Sequence, residues 1–134
     1  MTRINCIDPE LLNDKHLIAE YRELPRIFNL IRNANERNES PYDQRNPRQY
    51  VLGTGHVRFF YNKAKWLVER QKSLIAECLK RGFNVQYTDT SNLLDNVPPT
   101  WQGDWHPTNA DKELNIRRIN DRGGLRIIKE TVMS

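Results

Sequence analysis

Apolar residues recur at helical spacing in two long stretches of the chain. Between about Asp14 and Asn33, Leu17, Tyr21, Leu24, Phe28 and Ile31 form one stripe, and Asn13 or Asp14 stands where a side-chain cap would start a helix. Pro25 lies within this stretch and has no N–H to give the carbonyl of Tyr21. The pattern therefore predicts a first helix kinked at Pro25 rather than ended there, because the periodicity resumes beyond it. A second helix is predicted from about Asn62 to Arg81. It has Leu67, Gln71, Leu74, Ile75 and Cys78 on one face, and Gly82 as a left-handed cap after Lys80 and Arg81. A third starts at Thr108 or Asn109, ends at Gly123-Gly124 and carries the weaker pattern Leu114, Ile116 and Ile119. No run alternates well enough to suggest a strand.

Two long loops separate these helices. The stretch Glu39–Gln49, with Pro41 and Pro47, is rich in Ser, Asn, Asp, Gln and Arg, a composition that favours turns over regular structure. Thr88–Pro107 contains Pro98-Pro99 and Gly103, with Trp101 and Trp105 as anchors to the core. The expected fold is mainly α, a compact single domain over residues 1–134 with three principal helices and long wrapping loops.

Composition narrows the class. A chain of 134 residues with 37% hydrophobic residues is one ordinary domain with material for a modest core, which argues against wholesale disorder. No apolar stretch approaches the roughly 20 residues that cross a bilayer, and the start MTRINCIDPE has no hydrophobic signal core. A soluble, intracellular monomer without a membrane partner is expected. Cys6 and Cys78 are too few for a disulfide framework and form no CxxC pair, so both are expected as reduced thiols.

The net charge of +4 is mild for a nucleic-acid binder. Its distribution is uneven. Arg58 to Arg81 holds seven bases (Arg58, Lys63, Lys65, Arg70, Lys72, Lys80 and Arg81) against Glu69 and Glu77, whereas Phe83 to Pro107 has no Lys or Arg and three acids, Asp89, Asp95 and Asp104. A solvated helix face is the commoner cause of such a basic run, and a cationic binding side is the other.

On an ideal wheel starting at His16, the apolar stripe of the first helix falls between about 60° and 140°. The opposite face carries Lys15, Ala19, Arg22, Glu23 and Arg26 beside His16. One carboxylate is thus set among three fixed cations and an imidazole, a setting that keeps it ionised and lets it stabilise a developing cation while arginines hold phosphates. An exposed Glu23–Arg26 pair is the ordinary alternative. Other motifs are weak. Gly53-Thr54-Gly55-His56 lacks the spacing and lysine of a phosphate-binding loop. The histidines and cysteines show no HxxxH, HExxH or CxxC spacing, so no metal site is expected. With no GxSxG and no activated-thiol neighbourhood, an amine is the candidate nucleophile.

MTRIN at the start, HLIAEYRELPRIF from His16 to Phe28, LGTGHVRFFY from Leu52 to Tyr61 and RQKSLIAECLKRGFN from Arg70 to Asn84 resemble the phage T4-type endonuclease V family, the pyrimidine dimer DNA glycosylases with an associated abasic-site lyase. The likeness is strong over roughly the first 84 residues. It implies a compact helical DNA repair enzyme that needs no cofactor or metal and works on duplex DNA containing pyrimidine dimers or abasic sites. A cytoplasmic, DNA-associated setting of phage or prokaryotic type goes with it. The resemblance also implies that the nucleophile is the backbone amine of Thr2, exposed by removal of Met1, with an α-amine pKa of about 7.7–8.0. Glu23 matches the family's catalytic carboxylate. Arg22 and Arg26 match residues that position the damaged strand, and Arg3 and His16 match contacts near the nucleophile. Gln71 matches a residue near the pocket for an extruded base, the undamaged one opposite the lesion.

Three departures are visible. Lys15 replaces a neutral glutamine of the phage enzyme, adding a cation beside the pocket. Matching Asp104-Trp105-His106-Pro107 to the family's stretch puts Arg118 and Arg122 at its basic third-helix positions. The aromatic C-terminal segment is replaced here by Gly124-Leu125-Arg126-Ile127-Ile128-Lys129. Two rival readings follow: the same chemistry on another lesion, a ring-opened purine or a bare abasic site, and a non-catalytic helical DNA-binding module.

Overall fold

The computed structural model describes residues 3–126; Thr2 and the Ile127–Lys129 part of the C-terminal segment lie outside them. Five helices follow in chain order: α1 (Asp14–Glu23), α2 (Arg26–Glu36), a one-turn α3 (His56–Phe59), α4 (Ala64–Lys80) and α5 (Asn109–Asp121). No strand occurs among the described residues. Two isolated bridges, Leu12 with Leu125 and Lys63 with Gln102, are the only extended pairings there.

The stripe predicted for one kinked helix is carried by two. Leu24 caps α1, and α2 restarts at Arg26. Pro25 forces this end, since it has no N–H for the preceding turn and its ring crowds it. Three-residue bonds bridge the gap, from Ile27 to the Leu24 carbonyl (3.0 Å) and from Phe28 to that of Pro25 (3.3 Å). Leu24 and Pro25 keep right-handed backbone angles, so the apolar stripe runs on across the break. Leu17, Leu24, Ile27, Phe28 and Ile31 are buried and meet Leu67 and Leu74 of α4 in one core. The other predicted helices form where expected. Thr108 and Asp111 close a reciprocal capping box at the start of α5, and Gly82, at φ +84°, follows α4.

Side chains tie both long loops down. Arg58 donates to Glu39 (3.2 Å) and to Asn46 (3.0 Å), and Arg32 donates to the carbonyls of Leu93 and Asp95, each at 2.6 Å. Trp101 is buried, with its indole N–H donating to Asn35 at 3.3 Å. Trp105 stacks on Tyr50 at 5.4 Å between ring centres. Both tryptophans anchor the second loop as anticipated. After α5 the chain returns to the start of α1, where Asn13 donates to the Gly124 carbonyl (2.7 Å) and Arg126 to that of Leu11 (2.8 Å). Gly124 is required there, because a Cβ would sit 2.7–2.9 Å from the ring of His16. Among the described residues no helix is long and apolar enough to cross a membrane.

Most of the basic run Arg58–Arg81 is spent inside the fold. Arg70 pairs with Glu20, Arg81 with Glu77 and Asp14, and Arg58 with Glu39, whereas Lys72 pairs with Glu69 on the surface. The Lys63 ammonium donates to the Phe59 carbonyl (2.9 Å) and lies 3.8 Å over the ring of Phe59. The desolvation of this partly buried amine pushes its pKa down to about 8.

Candidate functional site

Residues 4–7 run without a neighbouring strand, so their backbone groups need partners from elsewhere. Side chains supply them. The N–H of Ile4 donates to His56 Nε2 (2.8 Å), that of Asn5 to Glu20 (3.3 Å), and those of Cys6 and Ile7 both to Asn115 Oδ1 (2.7 and 3.2 Å). The Ile4 carbonyl accepts from the Tyr50 hydroxyl at 3.2 Å. Behind the segment, Glu20 takes two bonds from Arg70 (2.8 and 3.0 Å) and one from the Asn5 amide (2.7 Å), and Asn5 accepts from Asn115 at 2.8 Å. All four of these polar residues are buried, and each meets a complementary partner, the condition under which buried charge is tolerated.

This network forms the floor of a cleft of about 510 Å³ lined by Arg3, Asn5, His16, Ala19, Glu20, Glu23, Gly53, Arg118, Ile119 and Arg122. Five residues singled out from sequence, Arg3, His16, Glu23, Arg118 and Arg122, are thus brought together from the N-terminal segment, α1 and the α5 end. The cleft has a surplus of cations. Arg3 Nη1 and Arg118 Nε are shielded from solvent with no acceptor. Burial and the nearby Arg118 and Arg122 hold the Arg3 pKa below its ordinary value, as desolvation and like charges do to a cation. Burial, then Lys15, Arg3 and Arg122, likewise lower the pKa of His16, which favours its neutral form near neutral pH. Among the described residues Glu23 has no ion-pair partner, so the ordinary Glu23–Arg26 pair does not form. A free carboxylate among unpartnered guanidiniums suits a substrate that brings phosphates and develops positive charge between them.

The remaining predicted residues lie elsewhere. Arg22 and Gln71 line a second cavity of about 340 Å³ with Tyr21, Pro25, Ile75, Tyr87, Asp89, Thr90 and Leu93. Lys15 and Arg26 are exposed and line neither cavity, although Lys15 is close enough to act on His16. The cations around Glu23 therefore come mainly from other parts of the chain, not from its own helix face.

The second cavity owes its chemistry to Pro25. The Tyr21 carbonyl, deprived of its helical donor, accepts from Gln71 Nε2 at 3.0 Å. A carbonyl only accepts, so the amide nitrogen of Gln71 must face it, which leaves Oε1 buried and unpartnered at the cavity. Tyr21 in turn fixes the rim, its hydroxyl accepting from the Tyr87 N–H at 3.0 Å, and the Tyr87 ring stands exposed there. An apolar slot with aromatic edges fits a planar ring.

Sequence reasoning missed Glu20, Arg70, Asn5, Asn115, His56 and Tyr50. Glu20 left a positional trace: at about 40° on the wheel it borders the apolar stripe. The motif Gly53-Thr54-Gly55-His56, set aside as a phosphate loop, has another use. Gly53 and Gly55 take positive φ (+80° and +86°), and a Cβ on Gly55 would meet Pro47 at 2.8 Å, so the tight turn directs His56 inward. In comparison with known families, the family model described as pyrimidine dimer DNA glycosylase matches residues 1–91.

Proposed function

The chain belongs to the pyrimidine dimer DNA glycosylase family, a group of DNA repair proteins, and from that premise we propose that it is a bifunctional glycosylase and abasic-site β-lyase acting on cis-syn dimers in duplex DNA. The observation that carries the reading is the cleft in which Arg3, His16, Glu23, Arg118 and Arg122 meet beside the start of the chain. Covalent geometry keeps the nitrogen of residue 2 within about 7 Å of the Ile4 nitrogen, and Arg3 and Asn5 on either side of Ile4 line the cleft, which supports the Thr2 amine, exposed by removal of Met1, as the nucleophile.

The chemistry follows from the groups present. The unprotonated Thr2 amine attacks C1′ of the damaged nucleotide, and the bond from C1′ to the base breaks with its electron pair leaving on the base, which takes up a proton. Opening of the C1′–O4′ bond gives an iminium, with the proton going to O4′. Its electron demand acidifies the C2′ hydrogen, whose removal expels the 3′ phosphate by β-elimination, and water then releases the amine. Glu23 stabilises the cationic sugar and shuttles protons. Arg3, Arg118 and Arg122 take flanking phosphates, His16 lies beside them, and Arg22, Arg26 and Lys15 contact the strand outside the cleft. The cavity at Gln71 receives an extruded base, with the free Oε1 accepting from an exocyclic amine such as that of the adenine opposite a thymine dimer.

Borohydride trapping tests the scheme. Met1-processed protein is incubated with duplexes carrying a thymine dimer or an abasic site, reduced, and mapped by mass spectrometry. The expected result is a Thr2 adduct with both. An adduct on the abasic duplex alone reassigns the lesion, and binding without any adduct leaves a non-catalytic module.

A further inference from the structure

Neither Tyr50 nor His56 lines the cleft, yet together they hold both backbone polar groups of Ile4, between the lining residues Arg3 and Asn5. His56 Nε2 accepts from the Ile4 N–H at 2.8 Å, and Nδ1 lies 2.8 Å from the Val51 carbonyl. A carbonyl cannot donate, so Nδ1 carries the proton, Nε2 is the acceptor and the ring is neutral. The ring is fixed edge-on against Tyr50 (5.7 Å, 69°) and Phe60 (5.5 Å, 77°). It is also buried. The Tyr50 hydroxyl completes the hold by donating to the Ile4 carbonyl at 3.2 Å. Only residue 3 separates this clamped residue from the amine assigned above.

We propose that His56 and Tyr50 are positioning residues that fix the Ile4 backbone and so aim the α-amine of residue 2 at the sugar. The inference rests on the Thr2 amine being the nucleophile. A neighbouring strand or a mobile side chain would also satisfy these buried backbone groups. Instead the backbone of Ile4 is held by two side chains of fixed direction, a bond to each polar atom, and such anchoring sets the orientation of a nucleophile that covalent reach alone would leave free to swing. Two of the three cleft arginines assigned to phosphates, Arg118 and Arg122, belong to the α5 end and not to this segment, so the clamp acts chiefly on the rate of the covalent step.

The test measures single-turnover borohydride trapping on an abasic duplex with saturating Met1-processed full-length protein. Binding to a duplex with a non-reactive tetrahydrofuran abasic analogue and thermal melting are measured alongside. His56→Leu is expected to slow adduct formation about tenfold or more with binding unchanged within about twofold. His56→Gln, whose amide supplies an acceptor and a donor, recovers most of the rate. Tyr50→Phe keeps the ring and loses one bond, slowing trapping about threefold or more. A folded His56→Leu protein that traps at the wild-type rate overturns the proposal. So does a parallel loss of rate and affinity, or a His56→Gln variant no better than His56→Leu. If His56→Leu does not fold, Tyr50→Phe decides: slower trapping supports the clamp, an unchanged rate overturns it. A wild-type protein that forms no adduct at residue 2 overturns the nucleophile assignment itself, whereas a wild-type adduct with unaffected variants overturns only the clamp.

Discussion

Glu20 and Glu23 lie three residues apart on α1 and both line the cleft, but Glu20 is closed in by Arg70 and Asn5 while Glu23 pairs with nothing among the described residues. The contrast extends to the arginines. Arg70 is buried with its guanidinium bonded to Glu20 and to the Ile7 carbonyl, whereas Arg3 and Arg118 each keep a shielded nitrogen without an acceptor. One set of charges is complementary within the chain and holds the segment bearing the N-terminus. The other is left incomplete within the chain, as the proposed binding of a polyanion requires. The same helix turn therefore serves structure and substrate, and neutralising the two carboxylates should separate these roles.

The largest effect is expected at the closed pair. Arg70→Met strands the buried Glu20 carboxylate and should cost about 3–5 kcal/mol of stability, read as a shift of the urea midpoint; a loss under about 1 kcal/mol would mean that the pair behaves like a surface one. Glu23→Gln should leave the melting temperature in place while dimer excision falls on the order of 10²–10³-fold, and unchanged excision would remove Glu23 from the chemistry.

A smaller effect depends on pH. Burial, followed by Arg3 and Arg118, holds the His56 pKa below 6.5, against the raising influence of its bond to Val51 and of Glu20. The unfolded chain then binds more protons than the folded one in the window between the two values. The stabilisation from neutral His56 is whole above about pH 6.5 and declines as pH falls from there through the folded value. His16, also depressed, adds in the same direction. Urea midpoints should drop on acidification through this window, and the drop should be shallower in His56→Gln; equal slopes would mean that His56 carries none of it. The mildest change is at the open set. Arg118→Ala and Arg122→Ala should each lower the slope of log affinity against log salt by about one, with melting nearly unchanged, and a slope that stays put would take that arginine off the phosphates.

How much of this was legible in the sequence differs between the two sets. Arg3, His16 and Glu23 were reached from the polar face of the first helix and the matching N-terminal motif, and Arg118 and Arg122 from a thin alignment of the third. The break at Pro25 was anticipated only as a kink. Its consequence, a freed Tyr21 carbonyl that orients Gln71, joins residues fifty positions apart and has no local signature. The basic run through α4 reads as a binding surface in one dimension, but its acids, Glu20, Glu39 and Asp14, come from distant parts of the chain.

The sequence by itself determined three helical stretches, the caps at Asn13, Gly82 and Thr108, the anchoring tryptophans and the family, because periodicity, capping and motif identity are properties of neighbouring residues. Tertiary structure alone decided which charges are paired. Ion pairing and buried hydrogen bonding depend on distances of about 3 Å between segments whose approach is set by packing of the whole core. That is why Asn115 and His56, an unremarked helix residue and the end of a discarded glycine motif, turn out to hold the start of the chain.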